Sequence, residues 1–206
     1  MASATTKHAT LAALIYANAF VVGSVLMGFE MLGSRYLFPY FGGGIGTWAG
    51  LISTVLVALT IGYFVGGTIA DLYPTPRVVA LAIGLAALYL AGVPAVADSF
   101  MNWIMTSIGY GPNGVLLAAA ALLLVPLSLL GMLSPVAIRL LIRTTAESGH
   151  VAGLVYGIST VGNVFGTLVT TFTLIPAIGS REITFVYAGV LATCSISLFF
   201  FASPRA

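Results

Sequence analysis

Six long apolar stretches alternate along the chain with short segments that hold nearly all of its charge. They fall at about 11–38, 46–70, 78–96, 114–133, 151–175 and 183–201, each near the roughly 20 residues that cross a hydrocarbon layer. Their interiors are almost free of ionic groups, as insertion demands when one Asp, Lys or Arg at mid-span costs about 2.5–3.5 kcal/mol. The pattern predicts an all-α membrane protein, six transmembrane helices in a single domain over residues 1–206. A cleaved leader fits the first stretch poorly, because the apolar run is too long and no small-residue cleavage site precedes the second.

Composition agrees. Of 206 residues 60% are hydrophobic and 6% charged, with mean hydropathy +1.12, whereas soluble domains carry roughly 25% charge. The 24 glycines and nine prolines are ordinary in membrane helices, where close approach and kinks are tolerated. A net charge of +2 is too small and scattered for a nucleic-acid partner. Cys194 stands alone, so neither a disulfide nor a thiolate metal site is expected within one chain. His8 and His150 are too few and too far apart for a metal cluster or haem pair. With no Ser-His-Asp arrangement either, catalysis by this chain alone is not expected. Neither a metal nor an intrinsic cofactor is expected, and bound lipid is the candidate ligand of that kind.

Charge also sets the orientation. An inner amino terminus puts Lys7, Arg77, Arg139, Arg143 and Arg205 on the cytoplasmic side and leaves Arg35 and Arg181 outside, which favours both termini in the cytoplasm. The outer loops are then about 37–45, 97–113 and 176–182, the middle one bearing Trp103 and Tyr110 as interface anchors. After Ser134-Pro135, a cap followed by Pro at the first helical position, residues 135–147 read as an amphipathic cytoplasmic helix. Arg139, Arg143 and Glu147 recur every four positions there, a polar stripe suited to the lipid surface or to docking a soluble partner. The alternative is a plain continuation of the fourth span whose arginines snorkel to the headgroups.

Small residues predict how the spans associate, since lipid gives no hydrophobic drive between helices. Gly46 and Gly50, then Gly62 and Gly66, mark the second span; Gly153 and Gly157, then Gly162 and Gly166, mark the fifth. The matching positions of these two spans in two groups of three hint at an internal repeat of the kind used in transporters. On the fifth span Ser159, Asn163, Gly166 and Thr170 form a second stripe. Asn163 and Asn18 each need a partner in the bundle, either a structural hydrogen bond or a place in a substrate path, and their two spans can meet through these amides.

Glu30 is an acid inside an apolar run. Counted from Leu11 it falls near the outer boundary, and Arg35 lies about 140° around the helix from it. It either binds a cation such as an amine from an outward cavity, or pairs with Arg35 after local unwinding or with Arg181. The following RYLFPYFGGGIGTWAG joins Tyr36, Tyr40 and Trp48 to a glycine cluster. A dinucleotide fingerprint needs a preceding strand and a later acid, so the cluster reads as a flexible outer loop with aromatic anchors, which can also hold a cation against their rings. Asp71 and Arg77 bracket an inner turn stiffened by Pro74 and Pro76, as a gate or an ordinary structural pair.

The blocks GFEMLGSRYLFPYFGGGIGTWAGLI, GYFVGGTIAD and YGISTVGNVFGTLVTTFTLIPAIGSR occur in that order between Gly28 and Arg181. They resemble the transmembrane region of bacterial spermidine-synthase-like proteins, in which a major-facilitator-like membrane part is fused to a soluble synthase domain. Gly67, Ala70 and Asp71 also resemble the inner-loop motif of major facilitators, although Leu72 and Pro74 depart from it and Arg77 is displaced. The resemblance implies a fold similar to one half of a major facilitator bundle, in the bacterial inner membrane. It also implies a soluble aminopropyltransferase-like domain, which these residues do not contain and which a separate polypeptide would supply. Three functions follow as expectations: transport or handling of a small cation, polyamine by resemblance; a non-catalytic accessory subunit of a larger membrane complex; or a membrane partner of a separate synthase-like enzyme. A homo-oligomer is expected under the first, to complete a substrate path.

Overall fold

The computed structural model describes the backbone of residues 2–201 and the side chains of residues 9–200. Lys7 and His8, by their side chains, and Arg205 entirely, lie outside the described residues. The chain folds into six helices long and apolar enough to cross a membrane: α1 (Ala2–Phe41), α2 (Ile45–Leu72), α3 (Pro76–Ser107), α4 (Pro112–Leu141), α5 (Thr145–Ala177) and α6 (Ser180–Phe201). Among the described residues there is no strand. Two tight turns require glycine, Gly42 (φ 71°) between α1 and α2 and Gly109 (φ 93°) between α3 and α4, both in the left-handed region that a Cβ disfavours.

The helices outrun the apolar stretches. The expected outer loop at 97–113 is helical to Ser107, because Ala97, Met101 and Ile104 continue the buried stripe of α3 at helical spacing. The polar residues there mark an exit from hydrocarbon, not an end of the helix. At 32 residues, α3 is about 48 Å long against a hydrocarbon core of about 30 Å. The loop expected at 37–45 is likewise shorter, since α1 continues to Phe41 and α2 begins at Ile45.

The separate amphipathic helix at 135–147 does not form. Leu133–Leu141 extends α4, and the chain leaves the helix at Ile142 (ψ 127°) before a single 3-10 turn at Thr145–Glu147. Arg139, Arg143 and Glu147 therefore share no helical stripe, and Arg139 is engaged elsewhere. Helices α4 and α5 each contain a π-turn, Ala120–Leu124 and Thr170–Leu174, immediately before Pro126 and Pro176. Each widened turn accommodates a residue that has no N–H to donate and would clash with the carbonyl four positions back.

Three pairings carry most of the contact between helices: α1 with α5, α2 with α4, and α3 with α6. Exchanging the first three helices for the last three maps these pairings onto themselves. The closest approaches obey the same exchange. On α2, Gly62 faces the Ser128 carbonyl and Gly131, and Gly66 faces Met132 on α4; on α5, Gly162 faces Phe20 and Gly166 faces Ser24 on α1. A Cβ would stand 2.7 Å from the Met132 Cα at Gly66 and 2.9 Å from the Phe20 carbonyl carbon at Gly162, so neither crossing has room for alanine. Gly50 rests against Val115, but Gly46, Gly153 and Gly157 face open space. Those three do not serve packing within the chain, because they lie on the uncovered sides of α2 and α5.

Candidate functional site

Where the two glycine crossings come together, α1, α2, α4 and α5 enclose a cavity of about 30 Å³. Gly23, Leu59 and Tyr63 line it from the first three helices, and Ser134, Ser159 and Asn163 from the last three. The glycines admit the backbones closely enough for a side-chain amide to reach across. Turned so that its nitrogen meets carbonyl oxygens, the Asn163 amide donates to Gly23 on α1 at 2.8 Å and to Ser159 on its own helix at 3.3 Å. Asn18 donates to the Leu14 carbonyl of its own helix at 2.8 Å, and its buried oxygen has no hydrogen-bond partner. The spans carrying the two amides do pack together, but the amides do not meet.

Glu30 follows Leu26 by four residues and Gly23 by seven, which puts it on the cavity stripe of α1 about one turn further out. It is 7% exposed and makes no hydrogen bond or ion pair among the described residues. Neither expected partner is there. Arg35 is exposed on another face, and Arg181 pairs with Asp98, because the extended helical end of α3 carries that acid to the start of α6. Tyr40, whose hydroxyl donates to Asp98 at 3.4 Å, belongs to this polar group. Glu30 precedes Tyr40 by ten residues, which sets the acid about 15 Å along α1 from the Asp98–Arg181 group.

The aromatic residues divide. Tyr36 is buried, its hydroxyl 3.0 Å from Thr184 Oγ1 and 3.4 Å from the Ser180 carbonyl to which it donates. It ties α1 to α6 and is not an exposed cation box. Tyr40 belongs to the Asp98–Arg181 group, and Trp48 is partly exposed on α2. A further buried contact, Thr170 to the Tyr187 hydroxyl, joins α5 to α6.

At the end of the bundle where α2 turns into α3, Asp71 does not pair with Arg77. The continuation of α4 through Leu133–Leu141 brings Arg139 to Asp71 at 3.4 Å, while Arg77, in the first turn of α3, sits over the Phe199 ring at 5.9 Å. Sequence reasoning missed the Asp71–Arg139 and Asp98–Arg181 pairs, each of which joins residues that only the helix extensions bring together. Among the described residues no group of three or more His, Cys, Asp or Glu is placed to hold a metal ion.

No known protein family, no curated protein and no solved structure matches the chain. The class that its own geometry defines is an all-α, multi-pass membrane bundle of six helices. Within it the polar centre is a small cavity between two groups of three helices, with a solitary buried acid beside it.

Proposed function

We propose that the chain is one half of a membrane carrier for a small cation, built from two inverted three-helix repeats and completed by a second six-helix unit. The observation that carries this reading is Glu30, a carboxyl buried inside a span without an ion pair or hydrogen bond among the described residues. An ionisable group is expensive there and marks a functional site by default; a cation is the ligand that neutralises it. The exchange pattern of the helix contacts supports the repeat, and carriers of inverted-repeat design bind their substrate near the midplane where the repeats meet. A polyamine is the substrate class favoured by the blocks between Gly28 and Arg181, and the bacterial inner membrane with both termini in the cytoplasm is the setting. No catalytic step is assigned to this chain. In proteoliposomes, Glu30→Gln should lower saturable spermidine uptake about tenfold, the loss of one charge-assisted contact. Unchanged uptake in the variant, or none by the native chain, would refute the assignment.

A second reading, an accessory subunit of a larger membrane complex, is favoured by α5. Only 17% of its most apolar stretch is buried, against 56% for α4, although it is the least apolar of the six spans. Its open face carries Gly153, Gly157 and Thr160, small residues suited to a neighbouring helix. Copurification from native membrane at fixed stoichiometry with a different polypeptide, together with no uptake by the isolated chain, is the outcome this reading expects.

A further inference from the structure

The ends of the two parallel helix pairs differ in charge. Five residues past Gly66, α2 carries Asp71, which pairs with Arg139 of α4. Five residues past Gly166, α5 carries Thr171 instead, and the arginine of α1 near it is Arg35. Thus Arg139 at one rim has a carboxylate partner, whereas Arg35 at the other shares a groove with Thr171 and has none among the described residues. Arg35 is exposed and makes no ion pair among the described residues.

Arg35 and Thr171 line one groove of about 350 Å³ together with Ser34, Trp48, Met31 and Ile175. Its polar part is rich in donors. Arg35 brings a guanidinium fork and Trp48 an indole N–H, while the Thr171 hydroxyl is buried behind the groove wall and Ser34 spends its own proton on the Met31 carbonyl at 2.7 Å. No carboxylate lines the groove. Its deeper wall is Met31, ten residues before the Phe41 end of α1, whereas Ile175 stands near the Ala177 end of α5, level with the rim. A donor-rich rim with a guanidinium suits a phosphate oxygen pair, and an apolar floor below it suits an acyl chain.

We propose that this groove is a binding site for an anionic phospholipid of the outer leaflet, its phosphate held by Arg35 and its first acyl carbons lying on Met31. The site is independent of the carrier reading and of Glu30. A soluble phosphate ester shares the headgroup chemistry but would leave the apolar floor empty, so the lipid is the occupant that uses the whole groove.

The test uses Trp48 as its own reporter. In a Trp103→Phe background Trp48 is the one remaining tryptophan, because the chain has two. Quenching by phosphatidylglycerol brominated on the acyl chain is titrated in mixed micelles, with brominated phosphatidylcholine as reference. The native groove should favour phosphatidylglycerol, Arg35→Gln should shift its half-saturation about tenfold higher, and Arg35→Lys about threefold, since a point charge replaces the bidentate fork. Arg139→Gln, at the rim already occupied by Asp71, should leave quenching unchanged. Equal half-saturation for native and Arg35→Gln protein overturns the proposal; if Arg35→Gln fails to fold, equal half-saturation for native and Arg35→Lys protein overturns it. Displacement of the lipid by glycerol phosphate at matched concentration also overturns it, by assigning the groove to a soluble ester.

Discussion

At both glycine crossings two glycines four residues apart receive the backbone of a parallel helix: Gly62 and Gly66 take Ser128 and Met132, and Gly162 and Gly166 take Phe20 and Ser24. Past that shared geometry they diverge. In the α2–α4 pair the hydroxyls return to their own helices, Thr60 to Leu56, Thr68 to Phe64 and Ser128 to Leu124. In the α1–α5 pair the Asn163 amide crosses to the Gly23 carbonyl, and the solitary Glu30 lies about two turns away on the same α1 stripe. Close backbone approach and polar bonding are therefore separable. The first sets how near two helices lie, and the second is added to one crossing and withheld from the other.

The largest effect expected from breaking the comparison is on the approach itself. Gly66→Ala and Gly166→Ala each push a methyl into backbone of the facing helix, and overpacking of this kind costs about 1–3 kcal/mol. Gly153→Ala, with nothing within 4 Å of its added carbon, should be neutral or slightly stabilising within the isolated chain, through better helix propensity. Unfolding in mixed detergent micelles measures all three. If Gly153→Ala proved as damaging as Gly166→Ala, either the crossings would not be where the bundle is held, or the open face of α5 would be covered by another chain.

A smaller effect should separate the two crossings. Asn163→Leu removes the one amide that bridges α1 and α5, and hydrogen bonds between membrane helices are worth about 0.6 kcal/mol on average and about 1.7 at most. Ser128→Ala removes a bond within a single helix and should cost less. The same unfolding assay, read as the difference between the two variants, sharpens the division into a bonded and an unbonded crossing; equal losses would erase it.

Much of this architecture is legible in the chain because lipid imposes simple rules. Uncharged runs of sufficient length name the spans, and the Gly62, Gly66, Gly162 and Gly166 spacing names the faces that approach. The failures share one cause. Asp98, Asn102 and Arg139 signal departure from hydrocarbon, and a polar residue can leave the membrane without ending its helix. The helical continuation to Ser107 and to Leu141 is carried by buried Met101, Ile104, Ala137 and Leu141, whose spacing was visible but subordinate to the charges beside it. From those extensions come the pairs Asp98–Arg181 and Asp71–Arg139, which no reading of adjacent positions supplies. Gly153 and Gly157 illustrate the converse: spacing alone cannot say whether a small-residue face meets the same chain.

The smallest effects concern the rims. Asp71 has a single ionic partner, Arg139, and both side chains are mostly exposed. Asp98 is held by Arg181 and also accepts a hydrogen bond from Tyr40, so it joins α3 to α6 and to α1 at once. Exposed ion pairs contribute about 0–1 kcal/mol because water screens them and both side chains lose freedom. Asp98→Asn should therefore destabilise the bundle slightly more than Asp71→Asn, with both differences shrinking as salt is raised toward 1 M, where the screening length falls to about 3 Å. A double-mutant cycle on Asp71 and Arg139 isolates their pair. A coupling well above the surface range that persisted in high salt would mean that this rim is shielded from water, and would make Asp71 and Arg139 a latch between α2 and α4 where the opposite rim at Arg35 has none.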